Sequence, residues 1–254
     1  MFQRPQALSV LGLPVHIMTS YPKWLLECLQ NKRGIHVVTL NAEMSIQAER
    51  NSSLAGVIQN ADLVIPDGAG VVLYLRWLLG KKVNRCPGIE LAEELLQEVG
   101  QQNTAIEVFF YGGAPGVAAN AAQYWQQQLP DLRIVGTHSG YHTTEEEEKL
   151  QQTLAKIQPQ VIFVGLGVPR QELWIAKNRL LCPQAVWIGV GGSFDIWSGI
   201  KTRAPRWLGN NNLEWLYRLY KEPWRWRRML ALPEFALKAS VYRFKTKDVN
   251  PTIN

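Results

Sequence analysis

The stretch of sequence that decides the fold is Ala61-Asp62-Leu63-Val64-Ile65-Pro66-Asp67-Gly68-Ala69-Gly70. Its apolar run is short, uninterrupted and closed by a proline and a glycine, which is the usual form of a parallel strand covered on both faces. Ligands of open α/β sheets bind beyond the carboxyl ends of such strands. Because Asp67 is the first charged side chain beyond this strand, the sequence predicts a carboxylate that faces a ligand.

Two interpretations of Asp67 follow from the local sequence. A carboxylate at a ligand-facing sheet edge is a candidate general base. An aspartate that precedes a helix, here predicted over 71–79, also commonly caps that helix by accepting backbone N–H bonds. The local sequence favours neither interpretation.

Strands and helices alternate on both sides of this stretch, from about residue 10 to residue 198. The predicted strands span 10–18 (a strand or hairpin), 36–40, 62–65, 106–111, 133–135, 161–166 and 185–190, and the predicted helices span 21–32, 43–60, 71–79, 87–99, 117–129, 144–157 and 170–180. Continuous apolar strands that alternate with helices indicate an α/β, Rossmann-like fold, with a predominantly parallel sheet flanked by helices.

Charge divides the chain unevenly. Residues 201–254 contain 12 Lys/Arg and 4 Asp/Glu, whereas residues 1–200 contain 15 and 17, and six of the ten tryptophans lie between 187 and 226. We therefore predict an α/β catalytic domain over 1–200 and a basic, Trp-rich helical appendage over 201–254, with helices over 205–220 and 223–245.

The composition argues against several classes of protein. Cys28, Cys86 and Cys182 are scattered and odd in number, as expected of reduced cytosolic thiols and not of a disulfide framework or a metal site. The first residues lack the pattern of a signal peptide, and no run approaches the roughly 18 to 20 apolar residues of a membrane span. We expect a protein that is soluble or bound to a surface.

Four predicted strand ends carry polar or glycine-rich sequences. They are Thr39/Asn41, Asp67, the run from Gly165 and Gly167 to Gln171, and the run from Gly189 through Gly191 and Gly192 to Asp195. Glycine-rich turns suit a diphosphate because their backbone N–H groups favour anions, although such glycines are often purely steric. A dinucleotide fingerprint is broken by Arg170, and neither a Walker A sequence nor an Asp-x-Asp metal motif is present, so arginines such as Arg85 are left to neutralise a diphosphate.

These motifs resemble one family, the WecG/TagA/CpsF bacterial glycosyltransferases, in order from about residue 10 to residue 245. The matching pieces are Val38-Thr39-Leu40-Asn41-Ala42, the stretch 61–68, Arg85-Cys86-Pro87-Gly88-Ile89-Glu90-Leu91, Gly165 to Glu172 with Trp174, Gly189 to Asp195, Arg203-Ala204-Pro205 with Trp207, Leu213-Glu214-Trp215 with Arg218, and Pro223, Arg225 and Arg228. Leu40 and Cys86-Pro87 depart from the family pattern, which bears on sugar preference more than on chemistry.

The resemblance implies an inverting, metal-independent hexosyltransferase without a cofactor. Such an enzyme moves a hexose or N-acetylhexosamine from a UDP-sugar to a polyprenyl-diphosphate-linked sugar in cell-surface polysaccharide synthesis. The resemblance favours N-acetylmannosamine as the sugar and undecaprenyl-diphosphate-GlcNAc as the acceptor. It implies a cytoplasmic protein that is peripheral on the inner face of the plasma membrane. The sequence leaves the oligomeric state open, a homo-oligomer included.

The resemblance also assigns roles to individual residues. It matches Asp67 to the catalytic base, Thr39, Asn41 and Gln171 to polar residues of the catalytic site, Arg85, Gly165, Gly167, Gly191, Gly192 and Asp195 to the donor side, and Arg218, Arg225 and Arg228 to the lipid diphosphate of the acceptor. An inverting transfer needs one base for the acceptor hydroxyl, and UDP leaves without a paired acid, so a single strand-end aspartate suffices.

The basic tail has three interpretations. Leu237, Val241 and Phe244 form an apolar stripe, and basic helices with tryptophan fit an interfacial membrane element. The stripe could instead pack on the α/β body, and the two can hold together. Nucleic-acid binding would also explain the positive charge, but no nucleic-acid-binding motif accompanies it. We therefore expect an anionic membrane surface as a binding partner, and no nucleic acid.

Two functions of other classes remain open from the sequence. One is an NAD(P)-dependent oxidoreductase, which the broken fingerprint disfavours. The other is a non-catalytic protein that binds UDP-sugars or lipid diphosphates.

Overall fold

The computed structural model of the chain describes residues 5–80, 82–101, 105–210 and 213–247, without the side chains of residues 206, 210 and 243–247. The strands are β1 (Gln6–Val10), β2 (Leu13–Ile17), β3 (Ile35–Leu40), β4 (Leu63–Pro66), β5 (Glu107–Gly112), β6 (Arg133–His138), β7 (Val161–Gly165) and β8 (Val186–Gly189). The helices are α1 (Tyr21–Gln30), α2 (Ala42–Arg50), α3 (Ser52–Gln59), α4 (Ala69–Leu79), α5 (Gly88–Gln101), α6 (Val117–Gln128), α7 (Thr144–Ile157), α8 (Arg170–Asn178), α9 (Ser193–Trp197), α10 (Arg206–Asn210), α11 (Glu214–Lys221), α12 (Trp226–Met229) and α13 (Ala231–Lys247).

Six strands form one sheet in the order β4-β3-β8-β7-β5-β6, and every neighbouring pair is parallel. The predicted parallel α/β architecture is therefore confirmed. Strands β3, β4 and β8 are buried along their whole length, as expected of strands covered by helices on both faces. The first predicted element is a hairpin, since β1 and β2 form a separate antiparallel pair.

Three predicted helices are wrong in their bounds. The helix predicted over 43–60 is two helices, because Asn51 leaves the helical conformation at φ −135° and accepts a hydrogen bond from the backbone N–H of Leu54 at 3.0 Å, which caps α3. The helix predicted over 205–220 is also divided, into α10 and α11. The helix predicted over 223–245 is divided into a 3-10 turn (Pro223–Arg225), α12 and α13. The strand predicted over 133–135 continues to His138.

Helix α13 shares a hydrophobic core with helices of the α/β body. Phe235 and Ala239 are each 2% exposed, and the Phe235 ring lies edge-on to Tyr74 of α4 at 6.4 Å between centroids. The predicted stripe is on the other face of the helix, since Leu237 and Val241 are 69% and 47% exposed, and the Phe244 side chain lies outside the described residues. The interpretation that the stripe packs on the body is therefore wrong for these two residues, while the domain boundary at residue 200 stays a prediction.

The sheet order determines where a ligand could bind. Strands β4, β3, β8 and β7 are consecutive neighbours, so their carboxyl ends meet at one edge. All four predicted strand-end sequences follow these strands. Across the residues that the structure describes, no helix is both long enough and apolar enough to cross a membrane.

Candidate active site

A pocket of about 560 Å³ opens at this edge of the sheet. Its lining joins strand-end residues to residues of the basic C-terminal segment, which we define as 201–230. The strand-end group includes Thr39, Asn41, Asp67, Gly167, Gln171, Gly191 and Gly192, and the C-terminal group includes Lys201, Arg203, Glu214, Arg218, Glu222, Arg225 and Arg228. A sheet edge with glycine loops on one side and several cations on the other suits a ligand that carries a diphosphate.

Ten of the thirteen predicted site residues line this pocket, and Arg85, Gly165 and Asp195 do not. Each of these three contacts a residue that does. Arg85 lies 3.3 Å from Glu214, and Asp195 lies 2.8 Å from Nζ of Lys201. A Cβ atom on Gly165 would come within 2.8 Å of the carbonyl oxygen of Gly191, so this glycine allows two strand-end loops to approach. The roles of all thirteen residues stay predictions.

Asp67 follows β4 directly and does not cap the next helix. The N-cap of α4 is Gly68, without a side-chain cap, so the capping interpretation of Asp67 is wrong. Its Oδ1 accepts a hydrogen bond from the backbone N–H of Gly88, the first residue of α5, at 3.1 Å. Its own backbone N–H donates to the carbonyl oxygen of Leu40 at 3.0 Å. The carboxylate is thus fixed between two structural elements and faces the pocket.

Burial raises the pKa of Asp67 to about 6. The guanidinium of Arg218 and the Gly88 hydrogen bond oppose this rise in the pKa, Glu214 adds to it, and Arg85 opposes it. A carboxylate with a pKa near 6 is largely ionised at neutral pH, yet it is a better proton acceptor than an ordinary aspartate. The environment of Asp67 therefore suits a general base.

Thr39 and Asn41 stand beside Asp67 at the end of β3. Thr39 is 7% exposed and its hydroxyl donates to the carbonyl oxygen of Gly189 at 3.3 Å. Asn41 caps α2 by accepting from the backbone N–H of Met44 at 3.0 Å, so its amide nitrogen is the end of the side chain that the cap does not use. Both residues thus stabilise the local backbone and also line the pocket.

Gln171 joins two glycine loops of the pocket. Its Oε1 accepts from the backbone N–H groups of Gly167 and Gly191, at 3.2 and 3.1 Å. Both N–H groups therefore already donate hydrogen bonds to Gln171, and the expectation that they donate to a diphosphate does not fit this arrangement. Any contribution of Gly167 and Gly191 to binding of the UDP-sugar would come from close approach of their backbone. The Gln171 amide is itself oriented by Glu172, whose Oε1 accepts from Nε2 at 2.9 Å.

Glu172 is a buried carboxylate that the sequence did not single out. It is fully buried, and its second oxygen lies 3.0 Å from Nε2 of His36, which is also buried. Because this pair fixes the Gln171 amide from behind, the polar network reaches from the core to the pocket lining.

The arginines predicted for the acceptor diphosphate are each paired with a carboxylate. Arg218 lies 2.5 Å from Glu214, Arg228 lies 2.6 Å from Glu43, and Arg225 pairs with Glu222. All three glutamates line the pocket. None of the three was predicted as a site residue from the sequence, although Glu214 belongs to the Leu213-Glu214-Trp215 motif. The cationic wall of the pocket is therefore held in place by internal counter-charges.

The cysteines are unpaired thiols, as expected. Burial raises the pKa of the Cys86 thiol well above its usual range, and the nearby Asp67 adds to this rise. Throughout the described ranges, no group of three or more His, Cys, Asp or Glu side chains is arranged to hold a metal ion.

Comparisons with known proteins agree with the family resemblance described in the sequence. A family model described as the glycosyl transferase WecG/TagA/CpsF family matches residues 8–249. An N-acetylglucosaminyldiphosphoundecaprenol N-acetyl-beta-D-mannosaminyltransferase of Bacillus spizizenii strain W23 is 38% identical over 221 residues, which cover 87% of this chain and 81% of that protein. A protein of the same name from Bacillus subtilis strain 168 is 35% identical over 209 residues, which cover 82% and 80%.

Proposed function

The chain belongs to the WecG/TagA/CpsF family of glycosyltransferases, and from that premise we propose that it transfers N-acetylmannosamine from a UDP-sugar to undecaprenyl-diphosphate-linked N-acetylglucosamine. Two relatives at 35–38% identity carry names with this sugar and this acceptor. The observation that carries the proposal is the pocket in which Asp67 faces the arginine-rich C-terminal segment. Such a pocket offers a base to a sugar hydroxyl and cations to the diphosphate that bears the sugar.

The proposed reaction is a single displacement. The acceptor hydroxyl gives its proton to the carboxylate of Asp67, and its oxygen forms a bond to the anomeric carbon of the donor. The bond from that carbon to the β-phosphate oxygen breaks, and UDP leaves with the electron pair. Attack opposite the leaving group inverts the anomeric centre, which fits one base without a second nucleophilic carboxylate.

The acceptor diphosphate is proposed to bind the C-terminal segment. Arg218, Arg225 and Arg228 line the same pocket as Asp67, and guanidinium groups bind phosphates in bidentate, charge-assisted pairs. When the diphosphate arrives, it competes with Glu222 for Arg225 and with Glu43 for Arg228. The acceptor sugar then projects toward the sheet edge where Asp67 lies.

An assay of UDP release tests the proposed transfer. We expect release when UDP-N-acetylmannosamine is combined with a prenyl-diphosphate-linked N-acetylglucosamine, and little release when the same acceptor sugar lacks the diphosphate. Single-turnover formation of a disaccharide product separates an enzyme from a binding protein. The absence of UDP release with every UDP-sugar tested would contradict the proposal. An absorbance change with NAD(P)H would support the oxidoreductase instead.

We further propose that the protein docks on the anionic inner face of the plasma membrane. Tyr220, Trp224 and Leu237 are each about 70% or more exposed apolar side chains. Residues 201–254 carry an excess of eight positive charges, and each basic residue near an anionic surface contributes about 1 kcal/mol. Exposed aromatic and basic groups together are typical of an interfacial element.

Co-sedimentation with liposomes tests this docking. We expect the protein to sediment with vesicles of anionic lipid at low salt and to be released at about 0.5 M salt, where charges are screened within a few ångströms. Replacement of Trp224 and Leu237 together by Ser should weaken binding at low salt because it removes exposed apolar area. Replacement of the exposed Tyr124 of α6 is the matched control. Equal sedimentation with neutral vesicles would contradict the electrostatic part.

A further inference from the structure

Glu214 is a pocket carboxylate that has no part in the chemistry proposed above. It is the first residue of α11 and is only 8% exposed. Its Oε2 accepts from Nη2 of Arg85 at 3.3 Å, and its Oε1 accepts from Nη2 of Arg218 at 2.5 Å. Arg85 precedes α5 at the sheet edge, 129 residues away in the chain. The carboxylate therefore connects the sheet edge to the C-terminal segment.

Arg218 needs such a partner in order to stay near Asp67. Its side chain is 48% exposed, and a long, exposed arginine loses rotamer entropy when it is held in one place. The side chains of Glu214 and Arg85 are much more deeply buried, at 11% and 15% exposure. An ion pair with a carboxylate that is already fixed from its other side can supply this restraint.

The other pocket glutamates make a different kind of contact. Glu222 pairs with Lys201 and Arg225, which both belong to the C-terminal segment. Glu43 pairs with Arg228 and accepts from Gln47. Glu214 differs from both because it contacts one arginine of the sheet edge and one of the C-terminal segment.

We propose that Glu214 is a positioning residue that holds Arg218 over Asp67, so that the acceptor diphosphate and the base are brought into register. The inference rests on the proposed function, because it gives Arg218 the diphosphate as its ligand. Glu214 itself stays bound to Arg85 and does not touch the reacting atoms. Its effect on transfer is exerted through the guanidinium of Arg218.

The pH dependence separates positioning from a mere change in charge. The charged and titratable groups that face Asp67 are Arg85 and Cys86, before α5, and Glu214 and Arg218, on α11. Arg218 lowers the pKa of Asp67 more than Glu214 raises it. If Arg218 moves away when Glu214 is removed, the pKa of Asp67 therefore rises. If Arg218 stays, the loss of the Glu214 charge lowers that pKa.

The test compares Glu214→Ala with the wild type in transfer assays between pH 5 and 9. We expect the KM for the acceptor to rise about tenfold, as for the loss of one charged contact, with the donor KM unchanged. We also expect the acid limb of kcat/KM to move to higher pH. Movement to lower pH would overturn the proposal. If Glu214→Ala does not fold, Glu214→Gln is judged by the same two criteria.

The matched control is Glu234→Ala. Glu234 also joins the C-terminal residues to the α/β body, through Arg50 at 2.6 Å, but it does not line the pocket. We expect its acceptor KM and its pH profile to match the wild type. An equal effect of the two variants would overturn the proposal, because it would mean that Glu214 only fastens the C-terminal residues to the body.

Binding of farnesyl diphosphate, measured by titration calorimetry, keeps this proposal apart from the proposed function. We expect Glu214→Ala to bind it about tenfold more weakly than the wild type. If the wild type transfers no sugar while this difference persists, the proposed function fails and the positioning role stands. If the wild type transfers sugar and the variant binds farnesyl diphosphate equally or more tightly, or if the wild type does not bind it, the positioning role fails.

Discussion

Replacement of Asp67 by Asn is expected to reduce sugar transfer by a factor of about 10² or more, the usual contribution of a positioned general base. Asparagine retains an oxygen that can accept from the backbone N–H of Gly88, where Asp67 Oδ1 now accepts at 3.1 Å. The substitution therefore removes the proton acceptor and keeps the local hydrogen bond. We expect kcat to fall while the KM values for both substrates change little.

The pH profile gives a second readout for the same variant. The pKa of Asp67 is raised to about 6, so wild-type kcat/KM should fall about tenfold per pH unit below that value as the base becomes protonated. The Asn variant should lack this limb in its residual activity. Asp131→Asn, at an exposed turn residue, is the control and should behave as the wild type. Near-normal turnover of folded Asp67→Asn would reject the role.

Stability should distinguish loss of the base from loss of the fold. Because burial raises the pKa of Asp67 above its unfolded value, the folded state binds this proton more tightly than the unfolded state. Its contribution to stability is thus present below the unfolded pKa, near 4, and is lost as pH rises through about 6. At pH 8 a neutral Asn avoids the cost of the buried charge, so the variant should unfold at a denaturant concentration no lower than that of the wild type.

The fold was predictable because its strands carry a strong local pattern. Strands β4, β7 and β8 are continuous apolar runs that end at glycine or proline, and the sheet order then brings the strand ends together. The break at Asn51 was missed because helical spacing of apolar residues occurs on both sides of it. The hydrogen bond that Asn51 accepts from Leu54 starts a new helix at this point, and the hydrophobic pattern does not signal it.

The site was predictable only where its residues are local to strand ends. Asp67 directly follows β4, Thr39 lies at the end of β3, and Gln171 lies in the first turn of the helix that follows β7, so the parallel sheet fixes their position. The carboxylates that hold the arginines come from tertiary pairing instead. Glu43 and Arg228 are 185 residues apart, and no spacing in the sequence signals that they meet. The same reason explains why Glu172 of α8 was missed, since its buried partner, His36, lies on β3, 136 residues away in the chain.

The combined replacement of Arg218, Arg225 and Arg228 by Gln is expected to raise the acceptor KM at least about 100-fold. Hydrogen bonds to charged groups contribute about 1.5–3 kcal/mol each, and about 1.4 kcal/mol corresponds to tenfold, so even partial loss of three such contacts exceeds this figure. The effect is smaller than the full sum because Arg225 and Arg228 each exchange a glutamate partner for the diphosphate. The donor KM should change much less, because these three arginines are proposed to bind the acceptor and not the donor.

A matched triple variant separates recognition of the diphosphate from loss of net charge. Arg50, Arg133 and Arg227 also carry three positive charges, but none lines the pocket, and the pairs of Arg50 and Arg133 lie at the surface, where ion pairs contribute little. Both variants are assayed with a short-chain prenyl-diphosphate acceptor in detergent, so that attraction to an anionic membrane does not limit the rate. If recognition is local, the control keeps a wild-type acceptor KM. Equal losses in the two variants would mean that overall charge, and not these three side chains, brings the acceptor to Asp67.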